Sequence, residues 1–428
     1  MKPTPNADVS QESLSKTEGE TPSQRFVRFQ RVWALFGLAL FVATWKLWTP
    51  QTDFPQIPFF EYLVDVSGIV DWILLGLLVV SLIVCAVCRT EKVRRVSQIA
   101  FALFAIGLIA LNQHRLQPWA YQFVVFAIIM AMAKPKHAVH SLRLIVVSIY
   151  VYSAVSKFDY QFVHTVGTQM LTTIAELLGQ NVQDWPETVR LGLVFGMPTG
   201  ELLVGCGLLF PRTRRLAIGM AALLHVVLLA TLLKLGHSPG VICWNIYFIC
   251  QAVLLFGGGS QHDPMASGNL ANESNQSRLG NSSIALGAFS TLSTAVLWFV
   301  LLFPLTQPLG ICDHWTAWEV YSPRTSRAAT VVPFESNLPR SQDTLAWSEE
   351  TLFVPVYPQA RFQLAVAMAD LQNDEMNYSI EFKGVADRWD GTRTTEILTG
   401  RDQMQMRASK FWLNIKPRRI WTERAEQP

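Results

Sequence analysis

Nine long apolar runs divide the first three quarters of the chain, near residues 32–48, 67–88, 97–112, 118–134, 141–157, 190–210, 215–234, 240–257 and 282–304. A helix that crosses a bilayer needs roughly 20 mainly apolar residues, so the pattern predicts nine spans. The third and fourth are joined by a very short connection, Asn112 to Pro118. Between the fifth and sixth, Phe162, Val163, Val166, Met170, Leu171 and Ile174 recur at near-helical spacing among polar residues. That mixture over 160–180 predicts a helix lying at the membrane interface or folded back over the bundle mouth. Residues 1–24 are polar and rich in Ser, Thr, Pro, Glu and Gln, which predicts a disordered arm. The first apolar run follows Arg25, Arg28 and Arg31 and reads as a signal anchor rather than a cleaved signal peptide.

Residues 305–428 have a different texture. Strand-like runs at Ala329–Phe334, Leu352–Tyr357, Arg361–Met368, Tyr378–Gly384 and Phe411–Ile415 are separated by turn signals at Gln372-Asn-Asp, Asp390-Gly391 and Thr399-Gly400. About 120 residues suffice for a modest core. The expected fold is therefore an all-α polytopic membrane bundle of about nine transmembrane helices with a small C-terminal extramembrane β-rich domain. Its divisions are an arm at 1–24, a bundle at 25–304 and an outer domain at 305–428. Trp315, Trp318 and Tyr321, just past the last span, read as an interfacial aromatic belt.

Composition agrees with a membrane protein. Of 428 residues, 50% are hydrophobic and only 16% charged, against about 25% charged in soluble domains. The net charge of +3 is small and scattered, which excludes nucleic acid as a partner. Lys and Arg collect in alternate loops: Arg89, Lys92, Arg94 and Arg95; Lys134, Lys136 and Arg143; Arg212, Arg214 and Arg215. Together with the arginines before the first span, they place the N-terminus in the cytoplasm and, after nine spans, the C-terminal domain outside a bacterial inner membrane. The polar loop 258–281 falls on the cytoplasmic side, so its sequons at Asn272, Asn275 and Asn281 carry no weight. Cys85-Ala-Val-Cys88 ends a span without flanking ligands and reads as two small apolar residues. No metal site, glycine-rich phosphate loop, zinc-protease HExxH or GxSxG elbow is present.

The polar positions inside the spans are the informative ones. Lys157 ends the fifth run and Asp159 follows it; Glu201, His225 and Asn245, preceded by Trp244, lie in the sixth, seventh and eighth. A charge in a bilayer is costly, roughly 2.5–3.5 kcal/mol even on lenient insertion scales, and faces a bundle interior or a wet cavity. Alternating span directions put all of them at compatible depths for one cavity opening outward. A lysine shielded from water can act as a base, and a carboxylate and an imidazole beside it can relay protons. Each also has a structural reading: Lys157 snorkelling, Asp159 capping a helix, Glu201 paired for stability, His225 packed, Asn245 joining helices. Pro198-Thr-Gly200 before Glu201 predicts a kink or broken helix of the kind that lines transporter cavities.

Two motifs carry a family resemblance within 141–257. Tyr152-Ser-Ala-Val-Ser-Lys157-Phe-Asp159, followed by Gly167, resembles the Tyr…Lys-Leu-Asp segment of the vitamin K-dependent gamma-carboxylase and its bacterial HTTM relatives. The resemblance assigns Lys157 the place of the base that deprotonates the reduced quinone; Ser156 stands where that motif has its first lysine. Leu224-His225-Val-Val-Leu-Leu is similar to a downstream histidine-bearing span of the family. Gly200-Glu201-Leu-Leu-Val-Gly205-Cys-Gly207-Leu-Leu-Phe-Pro-Arg212 resembles the glutamate-bearing helix of DoxX and MauE-like four-helix modules, which are tied to quinone or thiol-redox systems. The resemblance implies a quinone or lipidic cofactor with Lys157 as base; the buried polar groups at compatible depths add Glu201 and His225 as catalytic relay residues and Trp244 and Asn245 as cofactor-binding residues. The residues alone name no substrate. They leave open a small lipophilic ligand with redox-coupled or carboxylase-like chemistry, a scaffold recruiting a protein through the outer domain, and a transporter.

Overall fold

The computed structural model describes residues 22–258, 282–331, 342–371 and 379–420. The arm up to residue 21, the three sequons, Phe334, Tyr378 and the Gln372-Asn-Asp turn lie outside them. Among the described residues, nine hydrophobic helices form the bundle. They are α1 (Pro22–Ala43), α3 (Gly68–Val87), α4 (Glu91–Leu111), α5 (Pro118–Met132), α6 (Pro135–Ser156), α9 (Glu187–Leu209), α10 (Arg214–Lys234), α11 (Pro239–Phe256) and α12 (Ser282–Leu302). Short helices α2 (Trp45–Trp48), α7 (Tyr160–His164) and α8 (Val166–Leu177) connect them on one face. Among the described residues, eight helices are long and apolar enough to cross a membrane, and the protein is an integral membrane protein. The exception is α5, whose 15 residues rise about 22 Å, short of the roughly 30 Å hydrocarbon core. It sits inside the bundle, buried along most of its length, and has little lipid to match.

Local sequence sets the ends. Pro118, Pro135 and Pro239 stand in the first turns of α5, α6 and α11, where a missing N–H costs nothing. Helix α1 starts ten residues before its apolar run and carries Arg25, Arg28 and Arg31 within it. Pro198 does not break α9, which runs continuously from Glu187 to Leu209. The expected break is absent: the helix continues through Pro198 without the bond that its missing N–H would make to the carbonyl one turn back.

The C-terminal region contains an antiparallel sheet in the order β2-β1-β3-β4, from β1 (Arg327–Val331), β2 (Gln342–Asp343), β3 (Ser379–Lys383) and β4 (Thr395–Thr399). The register pairs Ala329 with Glu381 and Glu381 with Ile397. Helices α13 (Thr344–Leu352), α14 (Ala360–Asp370) and α15 (Gly400–Ala408) complete it. The expected strand at Arg361–Met368 is helix α14. Phe362, Leu364, Ala365, Val366 and Ala367 are all buried there, and an apolar run buried on every side has no period to read. In the expected strand Leu352–Tyr357, Leu352 ends α13 and the rest is irregular: Phe353 is left-handed (φ 55°) and Pro355 lacks a donor, while the Val354 and Pro355 carbonyls bond Ser348 Oγ and His114 Nε2. Phe411–Ile415 is also irregular, and β4 was not anticipated because its exposed edge shows no alternation.

The sheet region does not stand apart from the bundle. Trp318, Trp347, Tyr357 and Phe362 share one hydrophobic core with Trp33, Trp48, Phe54 and Phe123. The chain after α15 returns to the bundle: Asn414 N donates to Phe59 O and Arg418 N to Gln56 O. Asp71, Arg115 and Arg418, all fully buried, form one cluster, with Arg115 Nη1 at 2.5 Å and Arg418 Nη1 at 2.8 Å from the carboxylate. The connections after α2, α4 and α6 all contact the C-terminal region through bonds such as Arg361 to Gln113 and Tyr160 N to Arg388 O. The basic loop residues, Arg89, Arg94, Arg95, Lys134 and Arg212 to Arg215 among them, lie at the opposite helix ends.

Candidate functional site in the membrane

Helices α6, α9, α10 and α11 surround a cavity of about 350 Å³ whose wall includes Lys157, Glu201, His225, Trp244 and Asn245. All five residues singled out from the sequence therefore border one space. Asp159 does not. It caps α7, with Oδ1 accepting from Phe162 N at 2.8 Å, and burial raises its carboxyl above the ordinary value. Helix α8 lies over the cavity and contributes Met170 and Ile174, as the mixed pattern at 160–180 anticipated.

Lys157 caps the C-terminal end of α6, so its side chain reaches back one turn. Nζ donates to Ser153 O at 3.1 Å, to Ser153 Oγ at 2.5 Å and to Glu201 Oε2 at 2.7 Å. These three bonds use all three ammonium hydrogens. On Glu201, Oε2 takes the ion pair, while the side chain keeps 16% of its surface exposed toward the cavity.

A second chain runs from α6 to α11. Tyr150 Oη lies 2.8 Å from His225 Nε2, and His225 Nδ1 lies 2.9 Å from Asn245 Oδ1. Asn245 Nδ2 donates to Val241 O at 2.9 Å, which turns Oδ1 toward the imidazole. An amide oxygen only accepts, so Nδ1 carries the hydrogen toward Asn245. His225 is thus held at both ring nitrogens, and Phe248 stacks on it at 4.8 Å. Trp244 is fixed from behind: Nε1 donates to Gln122 Oε1 at 2.8 Å, and Gln122 Nε2 donates to Gln251 Oε1 at 2.9 Å. Apart from Thr231 and Tyr321 the rest of the wall is apolar, with Ile149, Phe162, Val204, Leu224 and Leu228 among its residues. Gly196 and Gly200 border it too, and a Cβ added at either meets open space.

Sequence reasoning passed over Tyr150, Ser153, Gln122 and Gln251. The two glutamines were visible as amides in apolar runs, and Ser153 lies one turn from Lys157. Tyr321 carried no signal beyond an interfacial aromatic, yet it lines this cavity. It also borders a second space of about 570 Å³ beneath the C-terminal region. Met170, Trp244, Val320 and Tyr321 belong to both walls and form the partition. Among the described residues, no three His, Cys, Asp or Glu side chains are grouped to hold a metal ion. Comparison with protein-family models, with curated proteins and with solved structures finds no match to this chain.

Proposed function

We propose that this membrane protein binds a lipophilic molecule with an oxygen-bearing ring, of the quinone or quinol class, in the cavity between α6, α9, α10 and α11. The observation that carries the reading is the meeting of an ion pair and a hydrogen-bonded Tyr150–His225–Asn245 relay in one mainly apolar intramembrane space. Its volume, about 350 Å³, is at the small end of ligand pockets, which run from roughly 300 Å³. It accommodates a substituted ring and the start of a tail. Glu201 is the base that meets the ligand first. Lys157 has donated all its hydrogens and becomes a base only after passing a proton to Glu201, 2.7 Å away. His225, Tyr150 and Asn245 form the second proton route, and Trp244 fixes the edge of the ring. The reading agrees with the resemblance to HTTM, gamma-carboxylase-like and DoxX-like proteins and proposes that membership for residues 141–257. The segregation of basic loops away from the C-terminal region supports an N-terminus in the cytoplasm and the sheet region outside. A transporter is less favoured, since α9 is unbroken at Pro198.

The test is mass spectrometry of organic extracts from purified wild type, Lys157→Ala and Gly200→Phe. The expected result is a stoichiometric quinone-class molecule in wild type that is depleted in both variants. Equal, non-specific lipid in all three samples would overturn the reading.

A further inference from the structure

The segment that leaves α12 folds back over the cavity instead of lying along the interface. Two of its residues, Trp318 and Tyr321, are left-handed, each with φ 61°. This backbone is uncommon for bulky residues and persists only where surroundings impose it. For Trp318 the cause is packing: it is fully buried and lies 4.9 Å from the Tyr121 ring. Tyr321 is different. Its ring stands in the partition between the two cavities, and its hydroxyl is buried without a hydrogen-bond partner. Asn245 is near: its Oδ1 accepts from His225 and one Nδ2 hydrogen goes to Val241 O, so the second Nδ2 hydrogen is all it can offer the Tyr321 oxygen, and the hydroxyl's own hydrogen is left without an acceptor. Tyr121 and Tyr247 also carry buried hydroxyls without partners, yet neither borders either of these two cavities.

A buried hydroxyl left unpaired destabilises the protein that carries it, and each such group calls for an explanation. Here a cavity lies beside it. We infer that the Tyr321 hydroxyl is a ligand contact: it donates to one oxygen of the bound ring, while Glu201 accepts a hydrogen from another. This inference rests on the cavity being a ligand site and adds the chemistry of the head group. The ligand carries two oxygen functions, one accepting and one donating, as a quinol does, and the segment after the last span completes its site. Strain at Tyr321 is then retained because it aims the hydroxyl inward.

The experiment titrates a benzoquinol bearing one isoprenoid unit into detergent-purified wild type, Tyr321→Phe and Gly200→Phe, alongside the melting temperature of each without ligand. Tyr321→Phe should weaken binding roughly 5- to 10-fold, the size expected for one hydrogen bond. Its melting temperature should stay level or rise, because the orphan hydroxyl is gone. A lower melting temperature with unchanged affinity would mean that the hydroxyl serves Asn245 instead, and unchanged affinity alone equally overturns the inference. Gly200→Phe separates the two levels. If it blocks binding while Tyr321→Phe does not weaken it, only the role of Tyr321 falls. If Gly200→Phe binds as wild type does, or wild type binds nothing, the cavity reading falls and this inference with it.

Discussion

Replacing Asp71 with asparagine should be among the most damaging changes outside the cavity. The carboxylate sits in the first turn of α3 and is fully buried, as are its partners Arg115 and Arg418. Arg115 also donates to the carbonyls of Leu47, Trp48 and Leu108, and Arg418 to Val66 O and Gln56 Oε1. The cluster therefore ties α3, the turn before α5 and the returning C-terminal segment to one point. At an effective dielectric of about 20, a contact of 2.8 Å corresponds to about 6 kcal/mol of attraction. Much of that offsets desolvation, and the pair is not a large net stabiliser. Breaking it is another matter, because removing one partner strands the others. With Asp71 neutral, two guanidinium groups face each other without a counter-ion, at a cost of roughly 3–5 kcal/mol. At about 2 °C per kcal/mol the melting temperature falls by about 6–10 °C. Arg418→Ala should cost less, since Arg115 still neutralises the carboxylate, but it should free the segment after α15 for proteolysis. The assay is thermal unfolding in detergent by tryptophan fluorescence, with limited proteolysis alongside. An Asp71→Asn protein that melts within 1–2 °C of wild type and resists protease equally would refute the reasoning.

Three further outcomes are expected. Burial lowers His114 from the ordinary 6.5 to about 4, and its Nε2 is bonded to Pro355 O. The folded state thus resists the proton that the unfolded chain takes up. Its stabilising effect is complete above pH 6.5 and is lost as pH falls toward 4, up to about 3 kcal/mol; a His114→Gln protein should show a flatter melting profile over that range. Lys157→Met and Glu201→Gln should each destabilise by roughly 2 kcal/mol or more, less than at Asp71 because Glu201 borders the cavity, while the double variant recovers much of the loss. Additive losses in a denaturation cycle would argue against a coupled pair. At Gly391, where φ is +72°, an added Cβ would lie 2.3 Å from Tyr160 Cδ1. Gly391→Ala should cost about 1–3 kcal/mol and raise hydrogen exchange in α7, and unchanged exchange would show that the contact does not hold that helix.

The spans were legible because a bilayer imposes one strong rule, a run of apolar residues long enough to cross it, and that rule acts locally along the chain. The cavity residues were legible for the complementary reason. Lys157, Glu201, His225 and Asn245 are conspicuous in apolar surroundings, and alternating span directions fix their depths. Tyr150 and Ser153 were not, since a tyrosine or serine in a span breaks no rule. The C-terminal region was read least well. Arg361–Met368 became helix α14 because burial on all sides erases periodicity, although Ala365, Ala367 and Ala369 within it favour a helix intrinsically.

By itself, then, the sequence determined a polytopic membrane bundle, the approximate limits of its helices and the depth of its polar groups. These follow from hydrophobicity and chain direction, which need no knowledge of neighbours. Only the tertiary structure decided which of those groups touch. It paired Lys157 with Glu201 across 44 positions and His225 with Tyr150 across 75. It also brought Arg418 back to Asp71 across 347 and turned Tyr321 from the membrane surface into the cavity wall. Such pairings depend on the azimuth of each helix and the return path of the last hundred residues. Packing sets both, and no local pattern in the chain encodes them.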